Sequence, residues 1–329
     1  MNDAALYPLR FKPIFKHVIW GGRRLSELFG FQLPANEPIG EAWLLSDQGE
    51  NASQVADGPL QGMTLRQLLE RDGEWLLGAG AKRQSRFPLL LKFIDAQAAL
   101  SVQVHPSDQH TQLLRPGERG KTEAWVILHA EPESRIFAGL KLGVGPDDLR
   151  RAQRENTLAE CLHSFAPKPG DCIFIPAGTV HAIGAGVVLF EIQQTSDVTF
   201  RLYDWGRVDA KTGQPRQLHI EQALACTDFA GGPRHPIAPI VEQDKPIRRE
   251  RLVDCEYFTL WRLHSGRPFS VGANDSCRIV VGIEGRGTIL HENSEFPIQE
   301  GDVLLLPAVV GACECRPEGA LILLEAQPK

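Results

Sequence analysis

The stretch Ser101-Val102-Gln103-Val104-His105 alternates polar and apolar side chains. An extended backbone therefore puts Ser101, Gln103 and His105 on one face and the two valines on the other. An imidazole beside an amide and a hydroxyl can hold a cation or a polar ligand. A strand face turned to water would explain Ser101 or Gln103 alone equally well. A second segment bears on the choice: Gly170-Asp-Cys-Ile-Phe-Ile-Pro176-Ala-Gly178-Thr-Val-His181 is a short apolar strand, a Pro/Gly turn, and then a histidine. Pro176 and Gly178 set a bend that aims the His181 imidazole. From Thr195 onward, alternation puts Asp197, Thr199 and Arg201 on one face, so a carboxylate and a guanidinium can act side by side.

These residues need short strands to hold them, and the surrounding sequence supplies them. Pro88 to Ile94 and Ala99 to His105 predict two strands joined at Asp95-Ala96-Gln97, and Glu123 to Leu128 predicts a third. Cys172 to Ile175 and Val187 to Ile192 are further apolar strands, with a polar helix capped at Asp147 or Asp148 and running to about His163 before them. Arg24 to Phe29 reads as a short helix. Thr64 is a candidate N-cap for a helical insertion at about 60–86, since Leu65, Leu68, Leu69 and Leu76 fall at helical spacing.

Beyond a short helix at His219 to Ala225, Gly231-Gly232-Pro233, His235-Pro236 and Pro239 mark a boundary. The expected domains are 1–235 and 236–329. The second should be another sheet unit, with strands at Tyr257 to Leu263, Cys277 to Gly282, Gly287 to His291, Asp302 to Leu306 and Leu321 to Glu325. Gly301-Asp302 before a strand ending at Pro307 echoes Gly170-Asp171 before one ending at Pro176, a weak internal repeat. No histidine stands after Pro307 as His181 stands after Pro176, so the second unit is expected to bind no metal.

Composition limits the partners. With 31 Gly and 23 Pro in 329 residues, tight turns between short elements are favoured over a helical bundle. A formal charge of -6 without any Lys/Arg block argues against nucleic acid and anionic membranes. Seven scattered cysteines form no C-x-x-C pair, no run of 18 apolar residues occurs, and the N-terminus lacks a secretory pattern. A cytoplasmic protein is the expectation. Arg115-Pro-Gly-Glu-Arg-Gly-Lys-Thr122 ends like a phosphate-binding loop, but Arg115 takes the first glycine position and no strand-to-helix junction fits.

The Gly170 to His181 spacing resembles the second cupin motif in full, which implies a mainly β, cupin (jelly-roll) barrel with His181 projecting inward. Five segments go further: Pro88 to Asp95, Leu100 to Pro106, Gly120 to Trp125, Pro176 to Ile183 and Glu191 to Asp204. In that order they resemble type I phosphomannose isomerases of the short bacterial form. Trp20-Gly21-Gly22 and Gly40-Glu41-Ala42-Trp43 are similar to that family's N-terminal segments.

The resemblance implies one Zn2+ per chain held by Gln103, His105, Glu123 and His181, a donor set free of thiolates and suited to a catalytic site. It implies a small-molecule sugar phosphate as partner and interconversion of mannose 6-phosphate and fructose 6-phosphate through an enediol. Lys121, Asp197 and Arg201 match the family's catalytic positions, and Lys92 and Ser101 are candidates for binding substrate, with Lys121 and Arg201, at its phosphate. Simpler roles compete: Lys92 as an edge-strand charge, and Arg201 as an ion-pair partner of Asp197 or Asp204. The alternatives in function are a metal-dependent cupin oxygenase and a non-catalytic sugar-binding or regulatory cupin.

Overall fold

Every side chain of the strand Val187–Gln194 is buried, as a long apolar run paired along both edges demands. In this computed structural model, which describes residues 5–79, 84–208 and 213–329, that strand sits inside an antiparallel sheet of six. The spatial order is Cys172–Ile175, Glu123–Ala130, Val187–Gln194, Leu89–Ala96, Ile39–Leu45, Ile14–Gly22. A second sheet of five runs Leu162–Phe165, Ile136–Leu140, His181–Ile183, Val102–Val104, Phe200–Tyr203. Trp125, Ile127, Ile173, Ile175 and Leu189 belong to a buried apolar cluster that also takes in Ile136, Ala138 and Ile183 of the second sheet. The two layers thus close on a shared core, the mainly β cupin architecture expected.

The expected helix at Thr64 forms over Leu65–Leu77, with Thr64 Oγ1 accepting from the Gln67 amide (3.1 Å) and Gln67 Oε1 accepting from the Thr64 amide (2.9 Å). Residues 80–83 of the expected insertion lie outside the described residues. The helix after Asp147 is shorter than expected, Pro146–Arg154. Asn156 takes a left-handed φ of 59°, which ends it, and the chain continues as a 3-10 turn over Leu158–Cys161 and the strand Leu162–Phe165. The strand expected from Thr195 starts only at Phe200, after a turn at Ser196 whose carbonyl accepts from Gln193 Nε2 (2.6 Å).

From Ile240 a seven-stranded and a four-stranded sheet form the second unit. Its pairings copy the first. Leu306 stands opposite Arg278 as Ile175 stands opposite Glu123, and Val280 opposite Glu325 as Trp125 stands opposite Glu191. A guanidinium therefore occupies the position of Glu123, and apolar residues such as Leu263, Val280, Ile289 and Leu323 fill the interior. The N-terminal strand Leu9–Arg10 pairs with Val303–Leu306 of this unit. The carbonyls of Trp75, Leu76 and Leu77 accept the amides of Val309, Ala308 and Cys277. No helix among the described residues is long and apolar enough to cross a membrane.

Candidate active site

Two cross-strand rows face the space between the sheets of the first unit. In the five-stranded sheet His181 lies opposite Gln103, and Gln103 opposite Arg201. In the six-stranded sheet the row is Trp125, Glu191, Lys92, Trp43. Cross-strand neighbours on one face stand about 5 Å apart, so register alone assembles groups that lie far apart in the chain.

His181 follows the turn its sequence predicts. Thr179 N–H donates to the Pro176 carbonyl (3.1 Å), and Gly178 N–H donates to the His105 carbonyl (2.8 Å), which ties the turn to the neighbouring histidine. Gly178 has a φ of 87°, and a Cβ there would meet the Cys226 carbonyl at 3.0 Å. Only glycine adopts that bend without strain.

His105, Glu123 and His181 bring one donor atom each to within 4.8 Å of one another, and all three are buried. His105 Nε2 lies 3.6 Å from Glu123 Oε2, and His181 Nε2 lies 3.3 Å from Glu123 Oε1. Each imidazole spends its Nδ1–H on a backbone carbonyl, His105 on Val198 (2.8 Å) and His181 on Thr179 (2.9 Å). Both Nε2 atoms are thereby turned to one region as acceptors, the arrangement of metal-ligating histidines, although Lys121 Nζ also stands 3.2 Å from His105 Nε2. Neither Glu123 oxygen receives a well-aligned hydrogen bond, although Lys121 Nζ stands 2.9 Å from Oε2. A buried carboxylate lacking such partners, beside two neutral imidazoles, fits a divalent cation.

The electrostatics agree. Burial drives the His105 imidazole far below its ordinary range and His181 down to about 4, so both are neutral donors. Burial pushes the Glu123 carboxyl up to about 7 against the pull of Lys121, a cost that a bound cation would remove. Gln103 Nε2 sits 3.3 Å from His181 Nε2. To ligate, its amide would turn over and present oxygen, an exchange of two nearly isosteric ends.

A cavity of about 360 Å³ opens beside this cluster, lined by Ser101, Gln103, Lys92, Lys121, Asp197 and Arg201 among others. The structure thus brings every sequence-predicted site residue to one place. Lys92 is not an edge charge: it lies on a central strand, between Glu191 Oε1 (3.1 Å) and Glu41 Oε2 (3.5 Å). Arg201 does not pair with Asp197 or Asp204 either. Its Nε donates to Ser101 Oγ (3.2 Å) and its Nη1 to the Gln217 carbonyl (2.9 Å), while Asp204 is taken by Arg207 and Arg216. Glu41, Glu191, Arg216 and His219 also line the cavity and escaped sequence analysis. Glu191 carried a signal, as the one acid within Val-Val-Leu-Phe-Glu-Ile. A larger surface cleft of about 500 Å³ around Arg23 and Arg24 contains no such donor cluster.

A cupin whose first barrel gathers a His-Glu-His donor set beside a polar cavity defines the class. Residues 9–119 match the model of the phosphomannose isomerase type I catalytic domain, and residues 248–325 that of the mannose-6-phosphate isomerase cupin domain. Mannose-6-phosphate isomerase ManA of Bacillus subtilis is 35% identical, with 92% of this chain and 94% of ManA covered. The Streptococcus mutans mannose-6-phosphate isomerase is 32% identical over 92% of this chain and 93% of its own. A crystal structure of a B. subtilis mannose 6-phosphate isomerase superposes with a TM-score of 0.89 at 32% identity, covering 98% and 99% of the two chains. A Salmonella typhimurium phosphomannose isomerase shares the fold at a TM-score of 0.77 and 17% identity, with 98% and 99% covered. The chain belongs to the type I mannose-6-phosphate isomerase family, and it is an enzyme of that family.

Proposed function

We propose that this enzyme interconverts mannose 6-phosphate and fructose 6-phosphate through an enediol, with one Zn2+ held by Gln103, His105, Glu123 and His181. The observation that carries this is the buried His105, Glu123 and His181 cluster opening on the cavity that contains Lys121 and Arg201. When bound, zinc supplies a Lewis acid for the oxygens at C1 and C2. Lys121, Asp197 and Arg201 carry or stabilise the proton and charge moved between C2 and C1. Arg201 makes no ion pair among the described residues, so its charge is free for the phosphate, with Ser101 fixing its Nε. Lys92, committed to two carboxylates, binds sugar oxygens rather than adding net positive charge.

The same reading divides the chain into a catalytic unit, 1–235, and a supporting β unit, 236–329. It places the enzyme in the cytoplasm, which suits seven unpaired thiols. A coupled assay over a panel of aldose phosphates tests the substrate class. Turnover of mannose 6-phosphate is expected, and its absence under metal-replete conditions would overturn the proposal.

A further inference from the structure

The segment that carries Lys121 to the donor cluster precedes its strand and has no ladder to hold it, so its backbone groups need other partners. Gly120 N–H donates to Asp108 Oδ1 (2.6 Å), Thr122 N–H to Gln194 Oε1 (2.9 Å), and Lys121 N–H to the Pro106 carbonyl (3.0 Å). Gln194, itself buried, closes the ring: its Nε2 donates to Asp108 Oδ2 (2.9 Å) and its backbone N–H to the Thr122 carbonyl (3.2 Å). A Cβ on Gly120 would lie 2.5 Å from the Asp108 nitrogen, so the two segments meet at backbone distance. At the end of this ring Lys121 Nζ stands 3.2 Å from His105 Nε2 and 2.9 Å from Glu123 Oε2.

We propose that Asp108 and Gln194 are positioning residues that hold the Lys121 ammonium in register with the reaction centre. The inference rests on the role in turnover proposed above for Lys121.

The polarity of the ring supplies the test. In Asp108→Asn an amide nitrogen faces the Gln194 amide nitrogen, donor against donor. In Gln194→Glu a carboxylate faces the Asp108 carboxylate. Combining the two substitutions restores one donor facing one acceptor while Gly120 and Thr122 keep theirs. Each single variant is expected to lower kcat about tenfold, with KM for mannose 6-phosphate and metal content unchanged. The double variant should return kcat to within about threefold of the parent, a coupling that independent sites do not show. Losses that multiply in the double variant, or that follow metal content or folded fraction, would overturn the inference while leaving the isomerase assignment intact. A metal-replete parent enzyme inactive on mannose 6-phosphate would overturn both.

Discussion

Three side chains carry the site: two imidazoles with their Nδ1 protons spent on carbonyls, and a buried carboxylate whose one close charged neighbour among the described residues is the Lys121 ammonium. Removing one leaves the others in place but breaks the donor set, so His181→Ala and Glu123→Gln should each reduce bound metal to below about a tenth of the parent's and activity with it. Metal analysis on purified protein checks this. Arg201→Ala should behave differently, keeping its metal while kcat/KM falls at least about a hundredfold. Equal metal loss in that variant would mean Arg201 supports the fold instead. Alternation put Gln103 and His105 on one face and the Pro176/Gly178 turn aimed His181, but it was the family resemblance that picked them out together with Glu123 as a donor set. Arg216 and His219 were not legible, since they reach the cavity from an irregular segment whose path no periodicity reports.

At the scale of elements, strand register does the positioning, and the apolar runs that set the register were mostly read correctly. Strands at Cys172–Ile175 and Val187–Gln194 and the helices Arg24–Phe29 and Leu65–Leu77 follow the sequence pattern. The short strands Ile136–Leu140 and Phe200–Tyr203 were harder to see, because five residues or fewer give too few alternations to outweigh a turn. Leu189→Ala, in the middle of the buried strand, should cost about 2–5 kcal/mol, measurable by urea unfolding. Asp204, just past Phe200–Tyr203, anchors the next loop through Arg216 (Nη2 to Oδ1, 2.5 Å; Nε to Oδ2, 2.8 Å) and Arg207. Burial would raise its carboxyl, but the bonds from Arg216 and Arg207 outweigh that and hold it below the usual carboxylate range. Its contribution is therefore full above the unfolded value of about 3.9 and lost as pH falls through the lower folded value. Asp204→Asn should flatten the acid limb of a stability-pH curve below about pH 4, and an unchanged limb would count against the pairing.

The whole molecule is two related barrels, only one of which retains the donor set. The repeat was visible at Gly170-Asp171 and Gly301-Asp302, but the substitution of Arg278 for Glu123 emerges only from the strand register. The barrels are not independent: one buried cluster includes Leu60, Leu68 and Phe190 together with Phe258, Leu305 and Leu324. A single cooperative transition is expected in calorimetry, and two separated transitions would contradict that shared core. The central claim, that turnover runs on a divalent cation held by His105, Glu123 and His181, is tested most directly by stripping the enzyme with a chelator and titrating zinc back while following mannose 6-phosphate isomerisation. Activity should vanish on stripping and return in proportion to zinc, saturating at one ion per chain. Full activity in stripped enzyme, or in metal-free His181→Ala, would contradict it.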